Sequence, residues 1–414
     1  MTPPDPSRLL RVRVEKLVAG GAGLARDSEG RVVLVAGAAP GDLVAAEVTA
    51  THKGVRRARV VQVLEPGPGR RSPPCPLAAE RCGGCTLQHL SYEAQIDAKL
   101  AILRESLTRT GRITAPDEIR VHRSPEWGYR RRARLHIDGR PGQPLRLGFR
   151  DKDGREVVTI GPCPVLTPAL EQALPELRAR LAAESRRTGD VSLLDVPGGV
   201  RLAGAAGEAT EGTVEVAGER LRVSANFFFQ ANAPLLETLV KRVVELAAAE
   251  PRPALAFDLY AGVGLFTLAL GRRFEEVVAI EEMTGAAALL TVNAGAAGLD
   301  RIQVHAAAVE TVLAGPPGAR LGGSVVVADP PREGLAASVR RALLEAPPER
   351  LIYVACDPVA LARDLGELTR GGFTLAGLEL FDLFPQTHHL ETVATLVRGC
   401  GSVPAQLSDK MWTI

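Results

Sequence analysis

Three groups in the last third of the chain stand where chemistry is usually done. Leu351-Ile-Tyr-Val-Ala-Cys-Asp-Pro358 reads as a buried parallel strand that ends on Cys356, Asp357 and Pro358. Open α/β sheets keep their reactive groups at the carboxyl ends of their strands. Cys356 is therefore a candidate nucleophile, whose pKa a nearby base or helix start would lower. A thiol after an apolar strand is equally an ordinary core residue, so its neighbours must decide. Ser324–Ala328 is a second buried strand, running into Asp329-Pro-Pro-Arg-Glu-Gly334, where an acid and two prolines make a stiff loop at the sheet edge. Gln386-Thr-His-His-Leu-Glu391 precedes a final strand, Thr392–Val397, and Glu391 is a candidate general base, although a lone Glu before a strand is commonly solvated.

A cofactor has its own signature. The strand Ala254–Leu259 runs into Asp258-Leu-Tyr-Ala-Gly-Val-Gly264. Strand, Gly-rich turn and helix start together leave backbone N–H groups and open space for a ligand. The strand Glu276–Ile280 then ends on Glu281, placed to accept from ribose hydroxyls. The pair reads as S-adenosylmethionine or dinucleotide binding, and the missing third glycine of a phosphate turn favours the former.

Six cysteines are present, and three crowd together as Cys75-x6-Cys82-Gly-Gly-Cys85. Without an export signal, a metal centre is the better reading than disulfides. Cys163, in Gly161-Pro-Cys-Pro164, is the natural fourth ligand. Spacing alone leaves an iron–sulfur cluster and zinc equally open.

These groups need elements to position them. At 414 residues the chain should hold two or three domains. It has no apolar run of transmembrane length, so a soluble, cytoplasmic, monomeric protein is expected. Residues 1–155 hold 28 Lys and Arg against 17 Asp and Glu, and the remainder 22 against 31, so the front should meet a polyanion. Residues 1–66 show short β runs at Leu9–Val18, Arg31–Val35, Leu43–Val48 and Ala58–Leu64 between Gly-rich turns, which suits an OB-like barrel. Lys53, Arg56, Arg57 and Arg59 would grip phosphates there. Residues 67–224, opened by a Pro/Gly/Arg linker, form a central α+β domain with a helix at Ser91–Arg109. Its basic run Arg130, Arg131, Arg132 and Arg134, beside Trp127 and Tyr129, could combine phosphate contacts with base stacking. Residues 225–400 make a Rossmann-like α/β domain opening on the helix Leu235–Glu250, and 401–414 read as a mobile tail.

The front barrel resembles the TRAM domain, an RNA-binding module. The ordered set of barrel, four cysteines, Phe227-Phe-Phe-Gln-Ala-Asn232, Asp-Leu-Tyr-x-Gly, Asp-Pro-Pro-Arg, Cys-Asp-Pro and His-x-Glu resembles the RNA 5-methyluridine methyltransferases of the RumA/TrmA/RlmD group, across nearly the whole chain. That resemblance implies a [4Fe-4S] cluster on Cys75, Cys82, Cys85 and Cys163. It implies Cys356 as the nucleophile on uracil carbon-6, Glu391 as the base at carbon-5 and Asp329 on the uracil edge. Gln230, Tyr260, Gly262, Gly264, Leu265, Glu281 and Asp329 would hold S-adenosylmethionine, and Phe228 would sit beside the target base. Ribosomal RNA is the expected substrate. A transfer-RNA T-loop enzyme and a catalytically silent RNA-binding iron–sulfur protein are the competing readings. One departure stands out: Ala306–Val309 lacks the Asp or Asn the family often sets against adenine. Arg332, by contrast, belongs to the family's Asp-Pro-Pro-Arg motif and distinguishes it from the Asp-Pro-Pro-aromatic loop of amino-directed methyltransferases.

Overall fold

The computed structural model describes residues 8–139, 143–184, 188–205 and 209–399; the tail expected to be mobile and Cys400 lie outside them. The front barrel is closed by five strands, Leu9–Leu17, Gly23–Arg26, Val32–Ala36, Leu43–His52 and Val55–Glu65. The strand Gly23–Arg26 begins at the last glycine of a stretch expected to be only a turn. Alternation does the rest: Val12, Val14, Val33, Val35 and Val44 point inward and fill the barrel.

The central region builds a five-stranded antiparallel sheet, in the order Gly199–Ala203, Thr188–Val196, Arg132–Asp138, Arg146–Arg150 and Val157–Thr159. The helix Pro168–Ala183 lays Leu170, Leu174, Leu177 and Leu181 on it, a spacing that puts all four on one face.

The largest sheet has eight strands. Their order is Ile302–His305, Glu276–Ile280, Leu255–Leu259, Val325–Ala328, Arg350–Ala355, Glu391–Arg398, Phe373–Phe381 and Arg120–His122. The first five run parallel, whereas Glu391–Arg398 runs antiparallel to Arg350–Ala355. Chain order reverses between Leu255–Leu259 and Val325–Ala328, which opens a crevice at that point. Reversal of one strand has a chemical consequence. The start of an antiparallel strand lies at the same edge as the ends of its parallel neighbours, so Glu391 joins the ends of the other strands.

Sequence placed the domain boundary at 224/225, but the catalytic core reaches further back. Arg120–His122 is the edge strand of the large sheet, paired with Glu379–Phe381. The helix Tyr92–Ser106, extended by a π-turn at Leu107–Gly111, packs Ile102, Leu103 and Leu107 into the same core as Leu361 and Leu365. A Cβ on Gly366 would lie 2.2 Å from the Gly111 carbonyl, so the two backbones touch directly. The hairpin Glu211–Val216/Glu219–Ser224 likewise buries Val214, Val216, Leu221 and Val223 against the helix Ala233–Ala247. No helix among the described residues is long and apolar enough to cross a membrane.

Candidate active site

Cys356 is delivered by two local devices. The wholly buried strand Arg350–Ala355 stops just before it, and Asp357 caps the helix Pro358–Arg370 just after it. The Asp357 carboxylate accepts the Val359 and Ala360 N–H groups at 2.9 and 2.8 Å, with Pro358 at the first helical position. The thiol is left at the turn, half-buried.

The expectation that this turn lowers its pKa is overturned. Burial pushes the Cys356 thiol up to about 12, and nearby Glu391 and Asp329 push the same way against Arg332. For Glu391 it is the solvated alternative that fails. It is no solvated residue before a strand but the first residue of the strand, 2% exposed, and its Oε1 has no hydrogen-bond partner. Burial, then Asp329, push its carboxyl well above the ordinary range, opposed by Arg332. Asp329 is also pushed up by burial, while a bond from Gln230 pulls the other way. Two carboxyls and a thiol thus stand near enough at one sheet edge for the carboxyls to push the thiol's pKa up, and Asp329 that of Glu391.

The Asp-Pro-Pro-Arg loop is clamped from below. Asp364, wholly buried, accepts the Leu335 N–H and the Tyr353 hydroxyl, each at 2.8 Å. Arg363 donates to the Glu333 carbonyl at 2.7 Å. Arg332 stays exposed, with Nη2 3.3 Å from His389 Nε2. Neither Arg332 nor His389 carried weight in the sequence, though both lie inside its motifs.

Gln230 is aimed by the cap that follows it. Asn232 accepts the Leu235 N–H at 2.9 Å and donates to Ser124 Oγ and the Leu383 carbonyl at 2.8 and 3.0 Å. Gln230 is buried, and its Oε1 has no partner. Of the three preceding phenylalanines, Phe229 is in the core, while Phe227 packs so closely on Gly285 that a Cβ there would be 2.4 Å away. Phe228 alone is presented to solvent, 63% exposed.

At the switch point, Tyr260 takes φ 65°, a left-handed conformation costing a non-glycine residue about 1–3 kcal/mol. Gly262 and Gly264 follow with φ of 57° and 97°. A Cβ on Gly262 would meet nothing within 4 Å, so open space lies over it, while one on Gly264 would meet Leu268 Cδ1 at 2.8 Å. Leu265 is partly buried against the core of this domain. The Glu281 carboxylate accepts the Gly262 and Met283 N–H groups, both at 2.8 Å. Asp258, unremarked as a site residue from sequence, lies fully buried beneath the turn. Burial pushes it up to about 7, Thr267 donates to its Oδ2, and its Oδ1 is unpartnered.

All four expected cysteines reach one apolar cavity, lined also by Leu77, Phe149, Ile160 and Arg130. The Gly84 N–H donates to Cys82 Sγ at 3.4 Å. Among the described residues no set of three or more His, Cys, Asp or Glu side chains is arranged to hold a metal ion as it stands. Four soft thiols around one largely apolar cavity are nevertheless the donor set that zinc or an iron–sulfur cluster takes.

The basic residues divide. Arg130 faces the cysteine cavity and stacks on Phe149, not on a free surface. Arg131 is spent on the Asp195 carbonyl and the Phe229 ring. Arg134 pairs with Asp190, and Arg56 is drawn to buried Asp27 at 3.0 Å. Arg132 stands 5.8 Å from the Phe228 ring centroid, beside the site. Lys53 and Arg57 remain exposed on the barrel.

A family model described as tRNA (Uracil-5-)-methyltransferase matches residues 172–399, and a TRAM domain model matches residues 8–61. The chain is 34% identical to the 23S rRNA (uracil(1939)-C(5))-methyltransferase RlmD of Alkalilimnicola ehrlichii, over 95% of this chain and 97% of that protein. It is 35% identical to the enzyme of the same name from Chromohalobacter salexigens, over 93% of this chain and 88% of that one. Among solved structures, the Pyrococcus abyssi tRNA (uracil-54, C5)-methyltransferase in complex with S-adenosyl-L-homocysteine shares the fold, with a TM-score of 0.69 at 24% identity, covering 94% of this chain and all of that one.

Proposed function

The chain belongs to the RNA 5-methyluridine methyltransferase family, and from that footing we propose that its substrate is a uridine of 23S ribosomal RNA, methylated at carbon-5 through a covalent bond to Cys356. The observation that carries the mechanism is the crowding of Cys356, Asp329 and Glu391 at one sheet edge, with buried Glu391 and Gln230 oxygens left unpartnered. Ribosomal RNA is favoured because relatives at 34% and 35% identity, matched almost end to end, bear that name, whereas the transfer-RNA enzyme shares the fold at 24%.

Uracil carbon-5 is a poor nucleophile, so it needs covalent help. The uridine leaves its stack and enters the site, where Phe228 and Arg132 offer a ring face and a cation. The Cys356 thiol gives up its proton to solvent, its sulfur adds to carbon-6 as the carbon-5/carbon-6 double bond opens, and Asp329 hydrogen-bonds the uracil edge as negative charge spreads toward carbon-5. S-adenosylmethionine, when bound, supplies an electrophilic methyl group; Gln230, Tyr260, Gly262, Gly264, Leu265, Glu281 and Asp329 would hold it. After methylation of carbon-5, Glu391 takes the proton from that carbon. The electron pair re-forms the double bond, and the Cys356 sulfur leaves. A base whose proton affinity is raised by burial suits that step.

Cys75, Cys82, Cys85 and Cys163 would carry a [4Fe-4S] cluster, which would supply a crosslink among segments that precede and follow the helix Tyr92–Ser106. Arg130 in the cavity wall would offset part of its negative charge.

The test is transfer of labelled methyl to unmodified transcripts, 23S fragments beside transfer RNA, by wild type and Cys356→Ala. Label at uracil carbon-5 of the 23S fragment, absent in the variant, is expected. Label confined to transfer RNA would replace the substrate, and label retained by the variant would remove the mechanism.

A further inference from the structure

The segment bearing Cys85 continues into Thr86 and Leu87, and both reach the turn that precedes Glu391. Thr86 Oγ1 accepts the His388 backbone N–H at 2.9 Å and lies 3.1 Å from His388 Nδ1. The Leu87 N–H donates to the Gln386 carbonyl at 2.9 Å. Gln386 is wholly buried at φ 68°, a conformation a non-glycine residue keeps only when its surroundings hold it. They do hold it. Its Oε1 accepts from Arg71 and Gln95, both at 3.0 Å, its N–H donates to Gln95 Oε1 at 2.8 Å, and its Nε2 donates to Glu126 at 3.0 Å. Tyr129, next to the cavity residue Arg130, donates its hydroxyl to the Pro385 carbonyl at 2.8 Å. Every one of these partners lies within residues 71–129, on either side of the cysteine segment or in it.

Beyond the turn, the chain has only His389 and Leu390 before Glu391. His389 sits edge-on to Phe384 at 5.9 Å and faces Arg332 of the Asp-Pro-Pro-Arg loop. The barrel leans on the same point, since a Cβ on Gly21 would stand 2.7 Å from His388 Cβ. Glu391 Oε1 has no hydrogen bond of its own. Sheet pairing with Phe381 fixes the Glu391 backbone, so the turn acts on that oxygen by fixing where and at what angle the strand begins.

We infer that Thr86 is a positioning residue: through its two contacts with His388, the cysteine segment holds the turn that sets Glu391 against Cys356. This rests on Glu391 being the proton acceptor proposed above. Breaking the Thr86 contacts slows loss of the carbon-5 proton, which is the step that lets the sulfur leave. It slows resolution of the covalent RNA adduct more than its formation, and it does not reach the cofactor turn.

The experiment uses the full-length, cluster-loaded protein with Thr86→Val, Thr86→Ser and His388→Ala. Cofactor affinity is read by calorimetry, the metal centre by its visible absorption, and covalent protein–RNA species on denaturing gels during single turnovers. Loss of one buried hydrogen-bond partner predicts a single-turnover rate about tenfold lower in Thr86→Val. Adduct accumulates, while cofactor affinity and visible absorption stay as in wild type. Thr86→Ser, which keeps the oxygen, returns to within about threefold of wild type. His388→Ala keeps the backbone bond to Thr86 and shows the same adduct in milder form, so it carries the test even if the valine variant folds poorly. A wild-type rate without adduct in Thr86→Val and His388→Ala overturns the inference. So does a defect that Thr86→Ser does not restore, or one accompanied by lost cofactor affinity. Glu391→Gln separates the two levels: normal turnover there removes the base assignment and this inference with it, whereas an inactive Glu391→Gln beside a normal Thr86→Val removes this inference alone.

Discussion

The free protein should hold its nucleophile in an unreactive form. Burial, with Glu391 and Asp329 nearby, moves the Cys356 thiol from 9.0 to about 12. At pH 8 such a thiol carries about a thousandfold less thiolate than an unperturbed one. Part of that is regained, because a more basic thiolate is a better nucleophile; a Brønsted slope of about 0.4–0.5 returns roughly twentyfold. Cys356 should therefore react with a small disulfide reagent about fiftyfold more slowly at pH 8 than a free cysteine of similar access. Mass spectrometry of the Cys356 peptide follows that residue alone. Access scales the rate but not its pH dependence, so the profile is the decisive quantity. The rate should rise about tenfold per pH unit from pH 7 to pH 10 without levelling. Glu391→Gln, which removes the neighbouring charge that raises the thiol most, should react faster than wild type. A plateau below pH 8, or a Glu391→Gln variant no faster than wild type, would refute the electrostatic account of the site.

The same field makes other outcomes specific. A bound sulfonium cation should accelerate Cys356 modification, whereas the neutral S-adenosylhomocysteine should not; equal effects would mean that charge plays no part. Glu379→Gln should cost about 3 kcal/mol at pH 7, since it leaves Arg242 buried and half-paired. Despite burial, bonds to His122 and Arg242 hold Glu379 below its usual 4.5, so its contribution is complete above that pH and fades as pH falls further. The melting-temperature gap between variant and wild type should therefore narrow as pH falls below 4.5, and a constant gap would contradict the pairing. Phe228→Ala should weaken productive RNA binding roughly tenfold through lost stacking, with cofactor affinity unchanged by calorimetry. If the proposed cluster assembles on reconstitution, Cys163→Ser should lose its visible absorption while Cys400→Ser keeps it, and the reverse would redraw the ligand set.

Much of this site is legible in one dimension because its signals are local. Apolar runs ending in Tyr260, Glu281, Asp329 and Cys356 are consecutive residues, and in a parallel sheet consecutive βα units bring their ends to one edge. Asp357 and Pro358 announce a helix start by their own chemistry, which leaves Cys356 at the turn. The cysteine spacing pointed to one site, and all four thiols do line one cavity. Other features depend on what packs across the chain. Nothing local separates a solvated Glu before a strand from Glu391, whose burial follows from an antiparallel strand inserted between Arg350–Ala355 and Phe373–Phe381. Four arginines in five residues look alike as sequence, yet neighbours contributed by other segments give one to the cysteine cavity, one to a carbonyl, one to Phe228 and one to Asp190. The helix Tyr92–Ser106 reads as part of the central domain until its core partners, Leu361 and Leu365, are known. Thr86 and His388 lie 302 residues apart. Residue type and spacing determine which groups are able to react and roughly which strand ends carry them. Burial, charge coupling and the choice among identical side chains arise from contacts between distant segments, and only the folded chain brings those segments together.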